Sequence, residues 1–297
     1  MKEKIKEELV SLLTGRVLFN EPLKNHTSFK IGGMAEALII PQNKEDLRRL
    51  ITYLSELELP YWIIGNGTNL LVSDQGLKGV VIKLSKLNKI EINKPTVKAQ
   101  AGVKLPLLAK KVAKKGLSGL EFGVGLPATV GGAVVMNAGV KEEEIGKLIT
   151  KVETLSSTGK LKTYSNLDFK YRKSIFQDKD EIVLGVELEL NPKKPQLIKS
   201  RMKEHLAKRK AKQPLSLPNA GCVFKNPPSD SAGRLIDEAG CKGLTVGGAQ
   251  VSDKHANFIV NIGEATAEDV LSLMGQVEKS VYKKFGVKLN RELEILF

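Results

Sequence analysis

Residues 37–84 read Ala37-Leu38-Ile39-Ile40-Pro41, then KEDLRRLITYLSELE over 44–58, then Tyr61-Trp62-Ile63-Ile64, then the turn Gly65-Asn66-Gly67-Thr68-Asn69 and, after a Gly-rich turn, GVVIKL over 79–84. Leu47, Leu50, Ile51, Leu54 and Leu57 form one stripe at helical spacing, and Asn43 stands where an N-cap residue belongs. The flanking apolar runs are short and bounded by breakers, so they read as strands. Strand, helix and strand in that order make a βαβ unit, here with a short extra strand, because a parallel pair needs a crossover between its members.

Outward from this unit the alternation continues. Short strands are expected at KIEI and TVKAQAG, a helix from about Leu105 to Lys115 ended by Gly116, and a hairpin of LITKVETLSS and KLKTYS turned by Thr158-Gly159. EIVLGVELELNP over 181–192 closes that region with alternating apolar residues. Beyond Pro195 come a basic helix, a Pro-rich loop, a helix at AGRLIDEAG and two strands around LTVGGAQVS and HANFIVNIG. Thr266 and Asp269 form a capping box that opens a helix running to about Phe285 with Gly286 at its end, and LNRELEILF reads as a closing strand.

The chain has 297 residues, 41% hydrophobic and 27% charged, enough for two or three domains with real cores. It holds no apolar run long enough to cross a bilayer, and its start, MKEKIKEELV, lacks the apolar core of a signal peptide, so a cytoplasmic protein without membrane insertion is expected. Two cysteines without a CxxC, and three histidines, argue against a disulfide scaffold or a Cys/His zinc module. The net charge of +14 favours an anionic partner: nucleic acid, membrane surface, nucleotide or phosphate ester. Its basic runs, 104–115 and 199–212, have helical spacing with apolar positions on one side and no interleaved aromatic platform, and so read as solvated helix faces rather than a nucleic-acid groove.

Three constellations carry possible chemistry. Gly65-Asn66-Gly67-Thr68-Asn69-Leu70 follows a strand, so its backbone can approach a pyrophosphate while Asn66, Thr68 and Asn69 add side-chain donors. Leu70 occupies the place of the third Gly of a Rossmann fingerprint, and taken alone the turn reads equally well as plain chain reversal. Residues 123–139, GVGLPATVGGAVVMNAG, suggest backbone packed closely around a flat or phosphorylated ligand, or a helix seated tightly on a sheet. In Pro218-Asn219-Ala220-Gly221-Cys222-Val223-Phe224-Lys225-Asn226-Pro227 a thiol stands beside donors for an anion, although a free Cys more often serves as a small buried hydrophobe.

These stretches, with NHTSFKIGG over 25–33, YRKSIF over 171–176 and KHANFIVN over 254–261, closely resemble the bacterial UDP-N-acetylenolpyruvoylglucosamine reductases (UDP-N-acetylmuramate dehydrogenases) of peptidoglycan synthesis, in the same order over roughly residues 20 to 296. The short passage from Asn226 to Gly233 is similar to the family's second structural type. The resemblance implies an α+β chain: the two-subdomain FAD-binding fold of the p-cresol methylhydroxylase and vanillyl-alcohol oxidase type, over 1–84 and 85–195, then a separate α+β substrate-binding domain over 196–288. It makes 289–297 a C-terminal strand that carries a catalytic Glu.

The same resemblance implies a monomeric, cytoplasmic flavoenzyme of cell-wall synthesis, cell shape and cell division, with FAD as cofactor and NADPH as co-substrate. It would reduce UDP-N-acetylenolpyruvoylglucosamine to UDP-N-acetylmuramate, without nucleic acid as a partner. Carried over position by position, Arg172 and Glu292 fall on the family's enolate-stabilising positions and Cys222 on its proton donor, where serine is commoner. On an alternating terminal strand Glu292 could instead simply face solvent. FAD is expected on Gly65, Asn66, Gly67, Thr68, Asn69 and Leu70 and on Thr129, Gly131, Gly132, Ala133 and Asn137. Lys225 and Asn226 are implied for the UDP phosphates, and Tyr171, His255 and Asn257 for the sugar or enolpyruvyl group. The 140–144 loop, Val-Lys-Glu-Glu-Glu, departs from the commoner family pattern. The rival readings are another flavin oxidase or dehydrogenase of the same fold and a nucleic-acid-binding protein.

Overall fold

The computed structural model describes residues 1–140 and 143–297. Lys141 and Glu142 of the divergent loop lie outside the described residues; on either side of them Gly139 and Val140 pair antiparallel with Glu144 and Glu143. The chain forms two compact units, one of Met1–Phe19, Glu36–Asn66 and Lys78–Ala207, the other of Asn20–Ala35, Gly67–Leu77 and Lys208–Phe297. Both are discontinuous, whereas the boundaries expected near 84, 195 and 288 cut the chain into consecutive pieces.

The first unit contains two layered halves. One is a four-stranded sheet in the order Arg16–Pro22, Met34–Ile40, Leu77–Lys83, Tyr61–Ile64, with Tyr61 opposite Val80 in a parallel pair. Helix Lys44–Glu56, capped by Asn43 accepting from the Asp46 N–H at 2.9 Å, buries Leu47, Leu50, Ile51 and Leu54 completely. At about 1.5–3 kcal/mol for each buried side chain, this stripe is what holds the helix to its sheet. The other half is a five-stranded antiparallel sheet in the order Leu161–Tyr164, Ile149–Ser156, Glu181–Glu189, Thr96–Gln100, Ile90–Asn93, joined in one core with helix Leu105–Lys114.

The second unit has an antiparallel sheet, Asn219–Cys222, Phe258–Asn261, Ala249–Val251, Thr245–Val246, packed with helix Ala267–Phe285. That helix has both halves of the Thr266/Asp269 capping box and ends on Gly286 at φ 69°. LTVGGAQVS is not one strand but two, Thr245–Val246 and Ala249–Val251, turned at Gly247 (φ 50°). The closing strand is only Glu294–Leu296, and it pairs in parallel with Leu70–Val72. The basic run lies on helix Pro195–Lys212, which buries only Ile198 and Met202 and leaves Leu197 and Leu206 exposed, so the expected apolar side is reduced to those two residues. Among the described residues no helix is long and apolar enough to cross a membrane.

Candidate active site

Gly65 and Asn66 meet the second Gly-rich stretch within the first unit, while Gly67–Leu70 belong to the second unit. Strand Tyr61–Ile64 lies at the edge of its sheet, so the chain leaving it at Gly65 is not held by a further strand. A Cβ on Gly65 would lie 2.4 Å from Thr129 Oγ1, and Asn66 Nδ2 donates to the Pro127 carbonyl at 2.8 Å. Gly67 has φ +64°, and a Cβ there would lie 2.1 Å from the His26 carbonyl oxygen, so only Gly is accommodated. Among the described residues the peptide N–H groups of 65–69 meet no acceptor. A run of successive peptide N–H groups with no protein acceptor is an arrangement that can take an anion. The residues present therefore fit the pyrophosphate of FAD.

The 129–137 segment takes the second of the two arrangements open in the sequence, a short helix seated tightly on its neighbouring strand end. Thr129 caps the short helix Val130–Val135 by accepting from Gly132 N at 3.4 Å, while Val130 and Gly131 donate to the carbonyls of Val103 and Ala101, each at 2.8 Å. A Cβ on Gly131 would come 2.9 Å from that of Ala101, so the helix sits as close to the sheet as backbone allows. Gly132 is exposed, whereas Ala133 is core. Asn137 is fully buried and acts as a hub: its Nδ2 donates to the Lys170 carbonyl (2.9 Å) and to Glu144 (3.0 Å), and its Oδ1 accepts from Gly146 N (3.0 Å).

Tyr171 and Arg172 form the turn of the hairpin Phe169–Lys170 and Lys173–Ser174. Arg172 has φ 52°, a conformation that costs a non-Gly residue on the order of 1–3 kcal/mol and is commonest where function over-determines the backbone. Its Nη2 donates to the Gly139 carbonyl at 3.1 Å, and Gln177 Nε2 donates to the Arg172 carbonyl at 3.2 Å, so the strained turn is held from two sides. The guanidinium lies 5.2 Å from the centre of the Tyr171 ring, which is 44% exposed.

In the second unit, Cys222 ends a bulged strand. The register against Phe258–Asn261 shifts between Asn219 and Cys222, with Gly221 at φ +82° and its N–H held by Asn219 Oδ1 at 3.1 Å. A bulge of this kind re-aims a side chain, and here it leaves the Cys222 thiol half-buried. The other cysteine, Cys241, is the buried one, and burial pushes its thiol up. One residue beyond Cys222, the Val223 carbonyl accepts the Glu292 N–H at 2.8 Å, and Phe224 bridges Arg291. Glu292 is thus brought beside the Cys222 strand by main-chain bonds, and its side chain is half-buried rather than fully solvated.

The remaining candidates cluster around the same strand. Asn257, 3% exposed, accepts from Phe224 N (3.0 Å) and donates to the Phe224 carbonyl (2.8 Å), so it fixes the chain between Cys222 and Lys225. Asn226 Oδ1 accepts from Ala232 N at 3.0 Å, and the Lys225 N–H donates to the Asn290 carbonyl at 2.8 Å. Burial holds the His255 imidazole below its ordinary pKa, favouring the neutral ring, which stands edge-on to Phe258 at 4.9 Å. Sequence reasoning assigned Ser28 no role, yet its Oγ donates to the Asn219 carbonyl (2.7 Å) and its N–H to the Gly67 carbonyl (2.9 Å), tying the Cys222 strand to the Gly67 turn. The only signal in the sequence was its place within NHTSFKIGG.

Comparison with known proteins adds an independent line. A family described as "UDP-N-acetylenolpyruvoylglucosamine reductase, C-terminal domain" matches residues 213–296, and a FAD binding domain matches 35–165. The chain is 47% identical over 298 residues to the UDP-N-acetylenolpyruvoylglucosamine reductase of Carboxydothermus hydrogenoformans, with 99% of both chains covered. It belongs to the UDP-N-acetylenolpyruvoylglucosamine reductase family. The reductase of Bacillus velezensis is 42% identical, with 99% of this chain and 98% of that one covered. The crystal structure of the Thermus caldophilus reductase is similar at TM-score 0.82 and 40% identity, over 96% of this chain and 100% of that one. An alkyldihydroxyacetonephosphate synthase (TM-score 0.50, 16% identity) and a Phl p 4 glucose oxidase variant (0.51, 14%), each over 65% of this chain, share the fold alone, that of the p-cresol methylhydroxylase and vanillyl-alcohol oxidase type. As a member of the reductase family the chain is an oxidoreductase with an FAD-binding domain.

Membership makes the Gly65 contact testable. Gly65→Ala is expected to weaken FAD binding by about ten- to a hundredfold, because the new methyl must displace Thr129 Oγ1 at an overpacking cost of about 1–3 kcal/mol. Fluorescence titration of the apoprotein with FAD checks it, and an unchanged affinity would remove Gly65 from the cradle.

Proposed function

We propose that this chain catalyses the NADPH-dependent, FAD-mediated reduction of UDP-N-acetylenolpyruvoylglucosamine to UDP-N-acetylmuramate, a cytoplasmic step of peptidoglycan precursor synthesis. The observation that carries the reading is a half-buried thiol on a bulged strand, with Glu292 hydrogen-bonded to the next residue's carbonyl. When bound, FAD supplies the hydride that passes from NADPH to the β-carbon of the enol ether. The residues of the chain must then manage a charge and a proton.

Hydride arrival at the β-carbon leaves negative charge at the α-carbon, delocalised into the adjacent carboxylate. Arg172 and Glu292 are assigned to that charge, which the guanidinium balances directly. Cys222 is assigned to deliver the proton to the α-carbon. A thiol, with a reference pKa of about 8.5, is a far stronger acid than serine's hydroxyl, so the replacement preserves the role. Half-exposure lets solvent reprotonate the sulfur before the next turnover. Lys225, His255 and Tyr171 are assigned to the UDP-sugar, while Asn226 and Asn257 serve by shaping the backbone around Phe224 and Ala232.

Incubation in D₂O with NADPH and UDP-N-acetylenolpyruvoylglucosamine, followed by mass and NMR analysis, tests the reading. The expected product is UDP-N-acetylmuramate with solvent-derived deuterium at the α-carbon, and kcat/KM higher for NADPH than for NADH. NADPH oxidation that consumes oxygen and forms no lactyl ether would assign the chain to the oxidase reading instead.

A further inference from the structure

The Asn69 side chain, a candidate for FAD, reaches the main chain of the C-terminal segment. Its Nδ2 donates to the Glu292 carbonyl at 3.0 Å, and its own carbonyl accepts the Glu294 N–H at 3.0 Å. Asn69 therefore brackets Leu293 from both sides and starts the parallel pairing of Leu70–Val72 with Glu294–Leu296. On its other flank, the Glu292 N–H is held by the Val223 carbonyl at 2.8 Å. The main chain of Glu292 is thus clamped at both polar atoms, by the Cys222 strand and by Asn69. Meanwhile the Asn69 N–H is the last of the five unmatched donors of the 65–69 turn.

We infer that Asn69 is a positioning residue for Glu292: its side-chain amide fixes the Glu292 peptide so that the carboxyl is aimed, while its backbone belongs to the FAD cradle. The inference rests on the reading of Glu292 as an enolate-stabilising residue. A loose peptide would let the carboxyl wander by ångströms, and catalytic groups misplaced by about 1 Å lose on the order of a hundredfold. The effect must fall on the half-reaction that uses Glu292 and spare the one that does not.

The test uses flavin-loaded wild type, Asn69→Ala, Asn69→Asp, Glu292→Gln and the double variant Asn69→Ala/Glu292→Gln. Asp matches Asn in shape but presents an acceptor to the Glu292 carbonyl, so it reports the bond even where the Ala variant folds poorly. Stopped-flow mixing reads flavin reduction by NADPH and reoxidation by UDP-N-acetylenolpyruvoylglucosamine separately, and fluorescence titration reads FAD affinity. With FAD saturating, both Asn69 variants are expected to lose at least tenfold more in the rate of reoxidation than in the rate of reduction by NADPH. In the Glu292→Gln background, Asn69→Ala should change reoxidation by less than about threefold, because two residues acting through one group are not additive. Equal slowing of both half-reactions, loss of FAD affinity with normal reoxidation of the loaded protein, or a full additive effect in the double variant would each overturn the positioning role. Normal reoxidation in Glu292→Gln itself would instead show that the reading of Glu292 is wrong, and the inference would fall with it.

Discussion

Cys222→Ala protein should bleach with NADPH at the wild-type rate and then stay colourless when UDP-N-acetylenolpyruvoylglucosamine is added without oxygen. Removing a positioned general acid costs about 10²–10⁴-fold in the step that needs the proton. Nothing in the preceding step depends on the sulfur. Cys222→Ser should regain its yellow colour at a rate within about tenfold of wild type, since the hydroxyl occupies the same bulged position. A purely structural thiol makes a different forecast: Ala costs about 1–2 kcal/mol of stability and leaves reoxidation intact. That forecast suits Cys241, which is 2% exposed, better than Cys222, which the bulge keeps half-exposed. Reoxidation of the folded Ala variant near the wild-type rate would end the proton-donor assignment.

Substitution of Arg172 by Lys, or of Glu292 by Gln, is expected to slow reoxidation by about 10²–10³-fold while leaving reduction by NADPH nearly unchanged. The Arg172 change isolates geometry. Lys keeps the charge, but it cannot keep a directed N–H on the Gly139 carbonyl together with a planar face on Tyr171. Because the left-handed backbone at residue 172 is already strained, a companion Arg172→Gly variant separates backbone from side chain. It relieves the strain, and should still lose the reoxidation step. Stopped-flow traces in which reduction slows as much as reoxidation would reassign these residues to holding the flavin.

Several features were legible in the sequence because they are local. The Asn43 cap, the Thr266/Asp269 capping box, the Gly286 stop and the stripe of Leu47, Leu50, Ile51 and Leu54 need only near neighbours and form as spaced, whereas Leu57, expected in the same stripe, lies past the helix end and is exposed. Gly65 and Gly67 were readable as positions of close approach because a missing Cβ leaves a signature, although what approaches them, Thr129 and the His26 carbonyl, was not. The extents of the last strand and of the basic helix's apolar face were misjudged for one reason. Alternation marks which residues could pair or bury but not what stands opposite: 290–292 join 223–225, leaving only Glu294–Leu296 to pair with Leu70–Val72.

Sequence by itself determined the family and the types of the candidate catalytic groups, because motif identity and order survive without coordinates. Only the tertiary structure decided what those groups are attached to. Asn69 and Glu292 stand 223 positions apart, and no periodicity links them; a single side-chain amide and a parallel strand pair do. Likewise Asn137 and Asn257, read as ligand contacts from their motifs, are buried with their amides engaged by backbone of distant segments. A side-chain amide is equally suited to a ligand or to a peptide, and which partner it takes depends on the backbone that folding brings within hydrogen-bond reach.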